Sequence, residues 1–331
     1  YFSKPVFVDI DADGDYDLFI GEWDGNINFY RNDGTADNAD WTFVTDNYAA
    51  IDVGSYSILP FGGCSNPVFV DIDADGDYDL FIGNIFGTIV FYRNDGTATT
   101  AAWTFMTDNY GSIDVDSCEC WWRGDYSSPF FVDIDADGDY DLFIGNNEGT
   151  IYFYRNNGAP NEAAWTFVTA NYASIDVGYD SVPSFVDIDA DGDYDLFIGE
   201  YEGNINFYRN DGTPTEPVWT FITANYAAID VAYYSAPTFI DIDADGDYDL
   251  FVGGRDGRIR FFRNNGTATE PIWTLITDNY ADIDVGSSSS PFFVDIDADG
   301  DYDLFVGEYE GGLNYWKSNI AQVPEEPEPS P

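Results

Sequence analysis

The chain has 331 residues, 62 of them acidic and 11 basic, and its net charge of −51 excludes polyanionic partners such as nucleic acid, whose phosphates it would repel. A 44% apolar and 18% aromatic content excludes a disordered acidic chain and supplies material for a large core. There is no histidine, so neither the usual proton shuttle near neutral pH nor a histidine-based triad can be built, and the expectation is a protein without catalytic activity. A glycosidase-type carboxylate pair needs no histidine, but no unrepeated pair stands out.

From the N-terminus onward the sequence is a repeat. The decapeptide DIDADGDYDL, or a near copy, starts at Asp9, Asp71, Asp133, Asp187, Asp241 and Asp295, at steps of 62, 62, 54, 54 and 54 residues. Such regularity means stacked or radial units that bury a core only together. The unit from Pro183 to Tyr234 serves for all. Ser184 to Ile188 is a short apolar strand, followed by the aspartate-rich loop, and Asp195 to Gly199 is a second strand. After the turn Glu200-Tyr201-Glu202-Gly203, Asn204 to Arg209 alternates with period two as a third strand. Trp219 to Thr223 is the fourth, and Asn225 to Val231 leads to the next unit.

Four antiparallel strands in each of six units predict an all-β fold, a six-bladed β-propeller, with a linear solenoid as the runner-up. The repeats lie near 5–58, 67–120, 129–182, 183–236, 237–290 and 291–318, making a propeller over 1–318. The Trp-Thr-Phe strand occurs five times, at Trp41, Trp103, Trp165, Trp219 and Trp273 (where Leu275 replaces Phe), so the last blade lacks its outer strand. Either the ring closes by blade packing or the open edge accepts a strand from a neighbour. Residues 319–331, rich in Pro and Glu, read as an extended tail or linker.

Each decapeptide places carboxylates at loop positions 1, 3, 5, 7 and 9, with Gly at position 6 for a sharp turn. In the fourth copy these are Asp187, Asp189, Asp191, Asp193 and Asp195 around Gly192. All-oxygen donors at this spacing suit Ca2+, with the main-chain carbonyl of position 7 as an added ligand; Mg2+ tolerates so many protein ligands poorly, and Zn2+ or copper would want His or Cys. The candidate ligands in the other copies are Asp9, Asp11, Asp13, Asp15 and Asp17; Asp71, Asp73, Asp75, Asp77 and Asp79; Asp133, Asp135, Asp137, Asp139 and Asp141; Asp241, Asp243, Asp245, Asp247 and Asp249; and Asp295, Asp297, Asp299, Asp301 and Asp303. About six ions are expected, one per blade. At a calcium level tenfold above Kd each contributes roughly 1.4 kcal/mol and six about 8 kcal/mol, comparable with a typical net stability of about 5–15 kcal/mol. The ions are therefore read as structural.

The DxDxDGxxD loop followed by DLFIG resembles the FG-GAP/VCBS-type repeats of integrin-α-like propellers, and the Pro-x-Phe-Val-Asp-Ile-Asp, Phe-Tyr-Arg-Asn and Trp-Thr-Phe segments resemble the bacterial secreted members. The resemblance implies a propeller with calcium between the first two strands of each blade. It does not imply one function, since members include adhesins, lectin-like proteins and accessory domains of enzymes.

Unrepeated residues are the better guide to function. Eight extra residues precede the second and third loops, in regions holding Cys64 and, later, Cys118, Cys120, Trp121 and Trp122. A disulfide from Cys64 to Cys118 or Cys120 suits an oxidising compartment, and spacing does not choose between them. The adjacent tryptophans either cover a blade edge or form an exposed patch. Arg255, Arg258 and Arg260 cluster on this acidic chain, as a dock for an acidic surface or as local charge balance. The turns between second and third strands vary most, among them Glu22-Trp23-Asp24, Tyr201-Glu202 and Tyr309-Glu310, and should lie opposite the calcium loops. The sequence starts at Tyr1 without a visible leader, as a processed or excerpted chain would, and weak calcium sites are useful where calcium is millimolar. The expectation is a secreted, extracellular or cell-surface module for adhesion or assembly, such as a self-assembling fibre subunit, with a carbohydrate-binding lectin-like propeller as the alternative. Partners are then another protein, further copies of the chain, or glycans, without membrane insertion.

Overall fold

The computed structural model describes residues 4–21, 25–34, 41–46, 48, 66–84, 86–97, 101–115, 127–158, 163–229, 231, 233–294, 302–307 and 313–316. They form six antiparallel sheets, five of four strands and one of three. Within each sheet the strands follow chain order, so every blade is a meander. The first strands run Lys4–Val8, Asn66–Val70, Ser128–Val132, Val182–Val186, Ala236–Ile240 and Ser290–Val294. They touch one another in succession, and the last touches the first, so the ring is closed.

The fold follows from how each strand meets its surroundings. The second strands, Asp-Leu-Phe-(Ile/Val)-Gly in every blade, are buried throughout, as a run apolar on both faces requires. Their central phenylalanines (Phe19, Phe81, Phe143, Phe197, Phe251 and Phe305) are among the largest fully buried side chains. Burying one stabilises by roughly 1.5–3 kcal/mol. Phe19 stacks on Phe29 of its own blade at 4.6 Å and meets Phe69 of the next at 4.6 Å, while Leu80 and Ile82 of blade 2 complete the cluster. The same packing recurs around the ring, and blades 6 and 1 are joined by Phe7, Leu18, Ile20, Val294 and Phe305.

Two further devices fasten neighbouring blades. Ser181, two residues before Pro183, accepts the Asn146 N–H at 2.9 Å and donates to the Thr150 carbonyl at 2.7 Å, clamping the start of blade 4 to the turn of blade 3. Gly145 permits this approach, because a Cβ there would collide with the Ser181 carbonyl. Beyond the fourth strands of blades 2, 3 and 4 a short 3-10 turn presents Tyr110, Tyr172 or Tyr226 to the next blade's tryptophan, as Tyr48 does after blade 1. Trp103 Nε1 donates to Tyr48 at 2.6 Å, and Trp219 and Trp273 donate to Tyr172 and Tyr226 at 2.7 Å. Trp41 of blade 1 packs edge-on against Phe7 and Phe305 instead, and among the described residues no tyrosine hydroxyl accepts from it.

The sixth blade, whose third strand is Leu313–Trp316, has three strands among the described residues, as the missing Trp-Thr-Phe segment predicts. The predicted strand bounds shift slightly. The first strand of the fourth unit ends at Val186 rather than Ile188, because both oxygens of Asp187 are taken up in folding the loop. The third is Ile205–Asn210. The region of Cys64, Cys118, Cys120, Trp121 and Trp122 and the tail 319–331 lie outside the described residues.

Candidate metal centre

Each acidic loop joins the first strand to the second, and its first aspartate builds it. Asp9 Oδ1 accepts the Asp13 N–H and Oδ2 the Gly14 N–H, both at 3.2 Å. Asp71, Asp133, Asp187 and Asp241 repeat the pair at 3.0–3.1 Å. Position 4 is left-handed even though it is alanine (Ala12 φ 51°), and Gly14 at position 6 has φ 100°. That backbone turns the carboxylates of positions 1, 3 and 5 together. In all five described loops one oxygen from each lies within 4.8 Å of the others: Asp9/Asp11/Asp13, Asp71/Asp73/Asp75, Asp133/Asp135/Asp137, Asp187/Asp189/Asp191 and Asp241/Asp243/Asp245.

Position 9 lies at the root of the second strand. Asp17 is 1% exposed; its Oδ1 accepts the Asn32 N–H at 2.8 Å, and its Oδ2 is buried without a hydrogen-bond partner. Asp79, Asp141, Asp195 and Asp249 repeat both features. Position 7 goes beyond the predicted carbonyl ligand, because its side chain also turns inward. Oδ1 of Asp15, Asp139, Asp193 and Asp247 is buried without a partner, as is Oδ1 of Asp11, Asp73 and Asp135 at position 3. In the sixth loop Asp303 begins the second strand, and Asp295, Asp297, Asp299 and Asp301 lie outside the described residues.

The electrostatics follow. Burial, opposed by the Asn32 hydrogen bond and reinforced by Asp11, Asp13 and Asp15, pushes Asp17 up to about 7. Asp79, Asp141, Asp195 and Asp249 reach about 7 in the same way, with burial first. Asp15, Asp139, Asp193 and Asp247 rise to about 6 through burial and then the adjacent position-5 carboxylate. Buried carboxylate oxygens without a donor, crowded by like charge, are what a bound cation would satisfy. All the donors are oxygens, which fits a hard divalent ion. The residues present therefore fit a metal, held by positions 1, 3, 5 and 9 with position 7 alongside.

Other parts of this face escaped the sequence reading. The position-8 tyrosines Tyr16, Tyr78, Tyr140, Tyr194 and Tyr248 stand partly exposed beside the loops. Grooves of about 490, 410 and 350 Å3 run between neighbouring loops, each bordered by two of these tyrosines. Their constant place after Gly-Asp was the signal. The predicted basic cluster divides. Arg260 makes a two-pronged pair with Asp256 at 2.6 Å, and Arg255 lies over the rings of Tyr233 and Tyr234. The variable turn Tyr201-Glu202 does lie opposite the acidic loops, beside the connections that enter blades 4 and 5.

A closed ring of six meander blades, an aspartate-rich loop at the head of each described second strand, defines a propeller whose loops could hold metal ions. The family described as FG-GAP-like repeat matches residues 9–82, 133–198, 187–252 and 241–306. These segments cover more than half of the chain, which belongs to this family. A comparison with curated proteins gave no match. Among solved structures, BBS1N in complex with ARL6DN is 13% identical over 95% of this chain and 91% of that one, with a TM-score of 0.45. The BP39L lectin from Burkholderia pseudomallei is 12% identical over 93% and 79%, with a TM-score of 0.48.

Proposed function

We propose that this chain is a calcium-stabilised, non-catalytic propeller that works outside the cell as an adhesion or assembly module, with further copies of itself as the first partner. The calcium part is supported by the buried, donor-less carboxylate oxygens of the loops. The non-catalytic part is supported by the lack of histidine and by the commitment of the repeated aspartates to loop architecture.

One observation carries the assembly reading. Each of the five outer strands turns an apolar pair to solvent: Phe43/Val44, Phe105/Met106, Phe167/Val168, Phe221/Ile222 and Leu275/Ile276, the first member of each more than half exposed. A soluble protein rarely shows so regular an apolar rim without covering it. The third strand of blade 6 adds an edge that has no further strand among the described residues, and such an edge can take a strand from a neighbour. Head-to-tail contacts that do not close produce filaments.

The test is sedimentation and electron microscopy of the full chain with calcium. Assemblies are expected, and Phe105→Ser combined with Phe167→Ser and Phe221→Ser should return the protein to single particles with little change in melting temperature. Discrete monomers at every concentration of the unaltered chain would overturn the assembly reading.

A further inference from the structure

Four tyrosines that the repeat does not explain meet on the face opposite the acidic loops. Tyr201 occupies the turn between the second and third strands of blade 4, and Tyr179 and the Tyr233-Tyr234 pair occupy the connections that enter blades 4 and 5. Tyr201 lies 6.3 Å from Tyr179, 5.4 Å from Tyr233 and 4.9 Å from Tyr234, with interplanar angles of 77°, 60° and 79°. The Arg255 guanidinium closes the row, 5.8 Å from the Tyr233 ring centre and 6.0 Å from that of Tyr234. The main chain holds the row in place: the Tyr201 N–H donates to Tyr179 O and the Tyr234 N–H to Tyr201 O, both at 3.0 Å, and the Arg255 N–H donates to Tyr233 O at 2.8 Å. Tyr179, Tyr233 and Tyr234 remain 39–45% exposed.

The scaffold does not require these rings. The bond from Tyr234 to Tyr201 recurs as Asp180 to Asn147 at 3.2 Å and Ser288 to Arg255 at 3.1 Å. All three donor residues have φ 54°. Asp and Ser fill that left-handed position in two connections, and a bulky tyrosine, which suits it worse, fills it in the third. Strain accepted at a solvent-facing aromatic, where smaller residues serve the same turn, points to recognition.

We propose that this row binds a linear, neutral oligosaccharide. The polarised C–H faces of pyranose rings lie well on the negative faces of aromatic rings, and the row, whose rings stand 60–79° from Tyr201, turns such faces in more than one direction. Asp180, next to Tyr179, and Glu202, next to Tyr201, put acceptors at its margin, and Arg255 adds donors. No Leu, Ile or Val belongs to the row, which leaves it without the aliphatic centre of a dry protein contact. A protein charged to −51 disfavours acidic glycans. This inference stands apart from self-assembly, and either can fail without the other.

The experiment titrates the full chain, with calcium, against cellohexaose, xylohexaose and mannohexaose, with an alginate hexamer as the acidic arm, by calorimetry and ligand-observed NMR. At least one neutral hexamer should bind with a Kd of about 1 mM or tighter. Tyr233→Ser with Tyr234→Ser, which installs the residues of the equivalent connection, Ser287-Ser288, should weaken binding about tenfold or more while the melting temperature holds. Silence from all three neutral hexamers, binding of the alginate hexamer alone, unchanged binding by the double variant, or a protein partner retained where sugars fail would each overturn the proposal.

Discussion

The acidic loops of blades 1, 2 and 4 fold like those of blades 3 and 5, yet they carry different charge. The difference starts two residues past the conserved arginine. In blades 1, 2 and 4 that residue is Asp33, Asp95 or Asp211, and it takes Arg31, Arg93 or Arg209 at 2.6 Å, away from the loop. Asp33, for one, is held below the usual carboxylate range by its Arg31 hydrogen bond. In blades 3 and 5 it is Asn157 or Asn265, which has no charge to offer. Arg155 and Arg263 then turn to position 3 of the loop, reaching Asp135 at 3.4 Å and Asp243 at 3.5 Å. A guanidinium at a ligand carboxylate competes with a divalent cation for the same charge. A single Asp-to-Asn difference outside the loop thus separates two classes of otherwise equal sites.

The largest effect that probes this comparison is removal of the cation. Chelation should lower the melting temperature by on the order of 10–20 °C, and a chelator titration followed by calorimetry should show the loops of blades 3 and 5 emptying first. One transition with all sites equal would dissolve the distinction, and an unmoved melting temperature would remove the structural role of the ions.

A smaller effect, of about 5 °C, concerns pH and should not distinguish the classes. Position 9 titrates at about 7 in both (Asp17, Asp79 and Asp195 against Asp141 and Asp249), whereas an unfolded Asp titrates at about 3.9. Between these values the folded, metal-free protein holds protons that the unfolded chain has released, so its stability falls as pH rises from about 4 to 7. Saturating calcium displaces those protons and removes the slope. Melting curves with and without chelator across this range should diverge as pH rises, and parallel curves would contradict the assignment.

The smallest effect is the most specific. Arg155→Gln and Arg263→Gln should each tighten one calcium site by about tenfold, the effect of removing a nearby like charge from a cation site. Arg209→Gln, whose partner is Asp211, should change none. Calorimetric titration of the three variants reads this directly, and equal effects in all three would erase the two classes.

Much of this was legible in the sequence because each unit repeats its own instructions. The decapeptide spacing gave the blade count, the five Trp-Thr segments gave the short sixth blade, and the alternating aspartates gave the carboxylate clusters of positions 1, 3 and 5. Interactions between units were not legible. The tyrosine of each Asn-Tyr turn read as a connector, yet Tyr172 meets Trp219 across 47 residues, a contact that only the packing of blade 3 against blade 4 creates. The inward turn of the position-7 carboxyls depends on the left-handed alanine at position 4, which no propensity argument favours. The arginine switch rests on Asn157 and Asn265, conservative changes until distances are known. Of the row from Tyr179 to Arg255, only Tyr201 in a variable turn and Arg255 in the basic cluster stand out in the sequence, since its residues come from separate connections.

The joint between blades 6 and 1 has its own consequence. At the four joints between blades 2 and 6 an isoleucine beyond the outer strand (Ile113, Ile175, Ile229 or Ile283) plugs the gap to the next blade. At this joint the described residues supply neither the plug nor the tyrosine that Trp41 would meet. Among the described residues this seam is therefore held by phenyl on phenyl, with Phe7 and Phe305 4.2 Å apart, and without a clasp across it.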